Sequence, residues 1–126
     1  MAGGKGTRLA AITKDIIPKP MVPLLDKPLL EWQVECLKAN GITDIVMVVG
    51  HLGEVIQRYF SDGSKWGVNI RYFVEEEPMG TAGALPQMQE LLADEFILLF
   101  GDLLLDVDLA RMAAFHKEKQ ALATLF

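Results

Sequence analysis

The chain has 126 residues, 51% of them hydrophobic and 23% charged, and a formal net charge of −5. This length excludes a second independent core, the hydrophobic content excludes a disordered chain, and the negative charge argues against a nucleic-acid binder. A single cysteine excludes an internal disulfide framework, and no apolar run reaches the roughly 18 residues of a membrane helix. With no secretory signal visible and no membrane segment, we expect a cytoplasmic protein.

The charge is unevenly distributed. Residues 1–27 contain five basic and two acidic side chains, whereas the other 99 residues contain seven basic and fifteen acidic side chains. A small anionic ligand would therefore be drawn to the N-terminal segment.

The first predicted elements are two helices that flank a strand. Apolar residues recur at positions 30, 34 and 37, which predicts an amphipathic helix over 28–39, ended by Asn40-Gly41. The apolar, β-branched run Asp44–Val49 predicts a buried strand. Glu54–Phe60 predicts a second, shorter helix.

The next predicted elements are a strand, a helix and a further strand. Apolar and polar residues alternate over 68–74, which predicts a strand. Residues 81–92 are predicted to be helical, with Pro86 in the first turn or at a kink. The fully apolar run 96–100 predicts another buried strand.

The last predicted elements are a helix over 108–119, whose acidic start and basic end suit the helix dipole, and a strand over 121–126. Because alternating strands and helices require crossover connections, we predict an α/β fold: a Rossmann-like three-layer sandwich with a mainly parallel sheet and helices on both faces. Ligands of such sheets bind at the carboxyl ends of strands, where Gly50-His51 and Gly101-Asp102 fall.

The chain begins with a glycine-rich loop. In a doubly wound fold, such a loop normally follows a first strand, and no such strand precedes it in this sequence. We therefore expect residues upstream and interpret 1–126 as a single but incomplete domain. Unpaired sheet edges would be sticky, so self-association into a homo-oligomer, or instability, is expected.

The glycine-rich loop is the strongest candidate for ligand binding. Its glycines let backbone N–H groups approach an anion, while the lysine and arginine add charge and the threonine adds a hydroxyl donor. It is neither a P-loop, because Lys5 is followed by Gly6, nor a dinucleotide fingerprint, because Leu9 takes the third glycine position. The alternative is a flexible glycine-rich terminus. The loop residues are Gly3, Gly4, Lys5, Gly6, Thr7 and Arg8.

A second candidate is Lys19, which stands between Pro18 and Pro20. The prolines predict an extended backbone that presents the lysine as a pre-organised point charge for a phosphate. The alternative is a rigid surface loop with a solvated lysine.

The other reactive side chains point to no catalytic or metal site. His51 is expected in a solvated loop and His116 on a helix in a structural role, and neither has ligand partners at zinc spacing. Cys36 is expected to be a buried small apolar residue.

Five ordered motifs together resemble the sugar-1-phosphate nucleotidylyltransferase family, and this resemblance covers essentially the whole chain. They are most similar to members that use GTP, such as mannose-1-phosphate and heptose-1-phosphate guanylyltransferases. The motifs are residues 2–9, 18–21, 27–31, 77–84 and 101–102.

The resemblance implies roles for the candidate nucleotide site. The loop would wrap the triphosphate, with its first glycines near base and ribose and Arg8 stabilising the leaving pyrophosphate. Lys19 would hold the attacking and attacked phosphates together. The base would be approached by Gly80 and Thr81, while Glu75 or Glu77 would accept hydrogen bonds from guanine N1 and N2.

The resemblance also assigns Asp102 to Mg²⁺, a hard cation that suits a carboxylate. The implied partners are a nucleoside triphosphate, GTP favoured, and a sugar-1-phosphate, with nucleotide sugar and pyrophosphate as products. The family supplies a second metal aspartate from a region beyond residue 126.

Two other interpretations stay open. Asp106-Val107-Asp108 is a D-x-D pattern found in metal-dependent, nucleotide-sugar-dependent glycosyltransferases, although we interpret it as the capped start of a helix. A non-catalytic sugar-nucleotide-binding or regulatory subunit of the same fold is the other alternative.

Overall fold

A computed structural model describes residues 16–77, 79–80 and 82–125, and its first element is a short hairpin. Strand β1 (Pro23–Leu24) pairs antiparallel with β2 (Lys27–Pro28). Leu25 in the connecting turn has a positive φ of 63°. The sequence analysis did not predict this hairpin.

Helix α1 (Leu29–Ala39) follows the hairpin directly and confirms the predicted helix. It ends at Asn40, whose side-chain amide donates to Cys36 O at 2.9 Å. Gly41 then takes a φ of +78°, which glycine adopts without steric cost. The predicted termination by Asn40-Gly41 is therefore confirmed.

The described sheet is a parallel pair. Strand β3 (Asp44–Val49) lies beside β4 (Asn69–Val74), with Val49 opposite Val74. Helix α2 (Gly53–Phe60) lies in the connection between them, as a parallel crossover requires. The predicted strands and the predicted helix between them are confirmed.

One face of the β3–β4 pair carries the larger core. Successive side chains of a strand point to opposite faces, so Met47 and Val49 face α1 and α2. The cluster contains Met21, Leu30, Val34, Met47, Val49, Ile56, Phe60, Trp66, Val68 and Ile70.

The other face is covered by a 3-10 helix, Leu85–Leu91, whose Met88 is buried against Val48. Pro86 lies in its first turn, as expected. A longer helix was predicted over 81–92, but among the described residues 82–92 only this 3-10 helix forms, and it is kinked at Met88. Helices therefore cover both faces of the parallel strand pair, and this arrangement is consistent with the predicted three-layer α/β sandwich.

Helix α3 (Leu109–Glu118) confirms the predicted helix over 108–119. Its cap is Asp108, whose Oδ1 accepts from Arg111 N at 2.8 Å, as the sequence indicated. Among the described residues, no helix is both long enough and apolar enough to cross a membrane.

Two predicted strands are wrong. Residues 96–100 form no strand, and Phe96, Leu98 and Phe100 are 48%, 39% and 38% exposed. Residues 121–125 form no strand either. An apolar run forms a strand only where a neighbouring strand lies beside it in register, and a local apolar pattern does not specify that neighbour.

Candidate functional site

Lys19 begins a tight turn at the N-terminal side of the site. The turn is a 3-10 helix, Lys19–Met21, in which Met21 N donates to Pro18 O at 2.8 Å and Val22 N donates to Lys19 O at 3.1 Å. The extended backbone predicted for Lys19 is therefore wrong. The reason is that Pro20 takes a first-turn position, where its missing N–H leaves no hydrogen bond unmade. Pro20 and Met21 are buried, while the lysine head is partly exposed.

Asp102 lies in a second turn, far along the chain. Leu103 N donates to Phe100 O at 3.3 Å, which closes a four-residue turn with Asp102 in its third position. Gly101 is buried and the Asp102 side chain is half-exposed. The expected placement at the carboxyl end of a strand is wrong, because residues 96–100 form no strand.

Gln33, on the buried face of α1, holds this turn in place. Its side-chain Nε2 donates to Phe100 O at 2.8 Å and also to Leu103 O. The sequence analysis missed Gln33. The sequence does contain a signal for it: Gln33 is a polar residue on the apolar face of the helix, three residues from Leu30 and next to Val34.

The two turns meet. Lys19 Nζ is 3.8 Å from Asp102 Oδ2, so two residues predicted for the site come together across 83 positions of chain. Helix α1 is their common support, because its first residue also donates to the lysine turn, from Leu29 N to Val22 O at 3.1 Å. A partly exposed ion pair of this kind is worth only about 0–1 kcal/mol, so both charges stay available to a ligand.

The expected base-binding loop follows β4. Glu75 N donates to Val49 O at 2.8 Å, which extends the ladder by one residue, and Glu75 Oε1 accepts from Met79 N at 3.4 Å. Glu77 is exposed. Gly80 has a φ of +76° and open space where a Cβ would stand, so backbone geometry rather than room explains the glycine. The loop also contacts the 3-10 helix that follows it, because Gln87 Nε2 donates to Met79 Sδ at 3.0 Å.

Several predicted site residues lie outside the described ranges. They are Gly3, Gly4, Lys5, Gly6, Thr7, Arg8 and Thr81. Their assignment stays a prediction.

Lys27 and Glu31, which belong to the third motif, anchor α1 to its surroundings. Lys27 Nζ donates to Glu35 Oε2 at 2.5 Å and lies 3.8 Å from the Trp32 ring centre. Tyr59 Oη on α2 donates to Glu31 Oε2 at 2.5 Å. This hydrogen bond, with some desolvation, raises the pKa of Tyr59 to about 12.

The remaining candidates are consistent with structural roles. His51 is exposed, and His116 Nδ1 lies 2.9 Å from Thr124 Oγ1. Cys36 is half-buried rather than fully buried. The described part of the chain contains no group of three or more histidine, cysteine or carboxylate side chains placed to hold a metal.

Asp102 nevertheless fits the donor chemistry of Mg²⁺. This ion is commonly held by one or two carboxylates, with substrate phosphates and waters completing its shell. A half-exposed carboxylate beside a lysine offers one such ligand.

The sequence profile of one family, described as nucleotidyl transferase, matches residues 1–126. The chain belongs to this nucleotidyl transferase family. Among its relatives, a D-glycero-alpha-D-manno-heptose 1-phosphate guanylyltransferase of Campylobacter jejuni is 44% identical, covering 89% of this chain and 50% of the relative. A UTP–glucose-1-phosphate uridylyltransferase of Synechocystis is 42% identical, covering 99% of this chain and 35% of the relative.

Two solved structures share the fold of this chain. HddC of Yersinia pseudotuberculosis matches with a TM-score of 0.79 and 30% identity, over 91% of this chain and 51% of that one. A putative glucose-1-phosphate thymidylyltransferase of Bacillus anthracis matches with a TM-score of 0.83 and 29% identity, over 94% of this chain and 49% of that one. The chain spans about a third to a half of the length of the curated relatives it matches.

Proposed function

We propose that the protein carrying this chain joins a nucleoside triphosphate, GTP favoured, to a sugar-1-phosphate, releasing pyrophosphate. The observation that carries the proposal is the meeting of Lys19 and Asp102 at 3.8 Å. The family and its guanylyl, uridylyl and thymidylyl members support the reaction class.

The reaction needs no general base from the protein. A phosphate oxygen of the sugar-1-phosphate attacks the α-phosphorus of the triphosphate and forms a new P–O bond. The bond from the α-phosphorus to the bridging oxygen breaks, and pyrophosphate leaves with the electron pair. Because a phosphate monoester has its second pKa near ~6, the attacking group is mostly a dianion at neutral pH. Charge neutralisation and positioning are therefore what the protein supplies.

Lys19 is proposed to supply positive charge to the two phosphates that approach one another. Its fixed backbone turn leaves only the side chain to be ordered, and the half-exposed carboxylate of Asp102 keeps the ammonium near the reaction site. Asp102 is proposed to hold Mg²⁺, which when bound neutralises phosphate charge. The glycine-rich loop, with Arg8, would hold the rest of the triphosphate.

The preference for GTP is proposed to come from the loop after β4. Guanine presents adjacent N–H donors at N1 and N2, and a carboxylate accepts both. Glu75 and Glu77 stand in the same loop as Gly80, and several relatives are named guanylyltransferase or guanyltransferase.

The decisive experiment combines the protein with GTP, UTP, ATP or dTTP and a panel of sugar-1-phosphates, and measures pyrophosphate and nucleotide sugar together. We expect both products in equal amounts, with GTP as the best substrate. GTP binding without pyrophosphate would indicate a non-catalytic binding subunit. Sugar transfer from GDP-sugar without pyrophosphate would indicate a glycosyltransferase, although Asp108 of the D-x-D pattern already caps α3. Mg²⁺ dependence, self-association and cytoplasmic location stay predictions.

A further inference from the structure

Gln33 is the one buried polar side chain among the described residues, with 4% of its surface exposed. It lies on the apolar face of α1 beside Val34, which is 1% exposed. An amide in such surroundings costs free energy unless its hydrogen bonds are made. Its presence on this face therefore calls for an explanation beyond packing.

The hydrogen bonds of this amide go to one place. A primary amide nitrogen carries two hydrogens, and Gln33 Nε2 donates to Phe100 O at 2.8 Å and to Leu103 O. These carbonyls belong to the first and last residues of the turn that carries Asp102. Gln33 therefore fixes both ends of the turn while leaving the carboxylate half-exposed.

We propose that Gln33 is a positioning residue that sets the place of Asp102 relative to Lys19 and thereby the affinity of Asp102 for a divalent cation. This inference rests on the proposed metal role of Asp102. The lysine turn is attached at Leu29 N, four residues before Gln33 on the same helix. Four residues of helix rise about 6 Å, so α1 acts as a rigid spacer between the two attachment points.

Asn40 provides the contrast that separates positioning from stability. It lies near the end of α1, and its Oδ1 accepts from Leu109 N at 3.2 Å. Asn40 thus fastens the same C-terminal segment to α1 without touching the Asp102 turn. A merely structural role predicts the same consequences for losing either side chain, whereas positioning predicts a metal effect for Gln33 alone.

The test is a titration of this chain with Mn²⁺, a cation that suits the same oxygen ligands as Mg²⁺. Paramagnetic broadening of the Gly101 amide NMR signal reports occupancy next to Asp102 and needs no turnover. In Gln33→Met, which keeps the length of the side chain without the amide, we expect about 10- to 100-fold weaker Mn²⁺ binding. Asn40→Ala is the control, with a lowered Tm and Mn²⁺ affinity within about twofold of wild type.

A third variant separates the inference from the function on which it rests. If Asp102→Asn leaves the Mn²⁺ titration unchanged, the proposed metal role of Asp102 is wrong and the inference falls with it. If Asp102→Asn abolishes the broadening but Gln33→Met leaves the affinity unchanged, the metal role stands and the positioning role is overturned. Should Gln33→Met fail to fold, Gln33→Asn carries the test, because its shorter amide cannot span both carbonyls. We expect about tenfold weaker binding there, and an unchanged affinity would overturn the inference equally.

Discussion

The two loops that carry the site are held in different ways. The turn at 100–103 is fastened by Gln33, a side chain 67 and 70 positions away in the chain. The loop that begins at Glu75 is shaped by local contacts, above all the hydrogen bond from Met79 N to Glu75 Oε1. The phosphate and metal end of the proposed site thus depends on a side chain distant in the chain, whereas the shape of the proposed base end depends mainly on residues close to it in the chain. Variants in the two regions should therefore differ in which property they lose: turnover, nucleotide preference or stability.

The largest effect is expected at the lysine. Lys19→Ala should lower kcat for pyrophosphate release by about 100- to 1000-fold, because a charge aimed at the reacting phosphates is lost. The matched control is Lys117→Ala, which removes an exposed lysine 3.5 Å from Glu95 and should leave turnover unchanged. Comparable turnover in the two variants would contradict the proposed role of Lys19.

A smaller effect should appear in nucleotide choice. In Glu75→Gln or Glu77→Gln, loss of a charged hydrogen bond worth about 1.5–3 kcal/mol should lower the preference for GTP over UTP by roughly 10- to 100-fold. The ratio of kcat/KM values for the two nucleotides is the measurement. Glu76→Gln, between them in the chain, is the control, and a GTP preference untouched by all three changes would remove these carboxylates from base recognition.

The local character of the second loop can be tested by stability. Gly80→Ala should lower the free energy of unfolding by about 1 kcal/mol, the cost of a positive φ with open space around the new methyl group. Gly83→Ala should cost about 3 kcal/mol, because a Cβ there would overlap the backbone oxygen of Met79. Urea unfolding checks both values, and equal costs would show that the turn is not shaped as described.

The smallest effect concerns Tyr59 and Tyr72, two tyrosines whose pKa values are raised by folding. The hydrogen bond to Glu31 raises the pKa of Tyr59 to about 12, and burial raises the pKa of Tyr72 to about 12. A pKa raised by folding contributes stability that is complete below the unfolded value of 10.0 and is lost as pH rises towards 12. Near-ultraviolet absorbance should show both tyrosines ionising near pH 12 in the native chain. In Tyr59→Phe, the loss of stability between pH 10 and 12 should be smaller, and an unaltered slope would contradict the contact.

The sequence predicted the elements whose periodicity is local. The apolar positions of α1, the β-branched run of β3 and the cap of α3 at Asp108 all have short-range patterns, and each was confirmed. The run 96–100 was predicted wrongly, because strand formation requires a partner that no local pattern specifies. The hairpin turn at Leu25 was missed because an exposed leucine at positive φ gives no turn signal.

The candidate site divides in the same way. Lys19 and Asp102 were predicted through their motifs, and the structure places them 3.8 Å apart. What joins them, the buried amide of Gln33, was missed, since a single polar residue on an apolar helix face does not reveal which distant carbonyls it binds.

A double-mutant cycle on Lys19 and Asp102 tests the central claim, that α1 brings these side chains together to act on one transfer reaction. The measurement is kcat for pyrophosphate formation from GTP and a sugar-1-phosphate in wild type, Lys19→Ala, Asp102→Asn and the double variant. Groups that act as a unit are strongly non-additive, so the double variant should be within about threefold of the slower single variant. If the two losses multiply instead, the residues act independently and the account of a shared site is wrong.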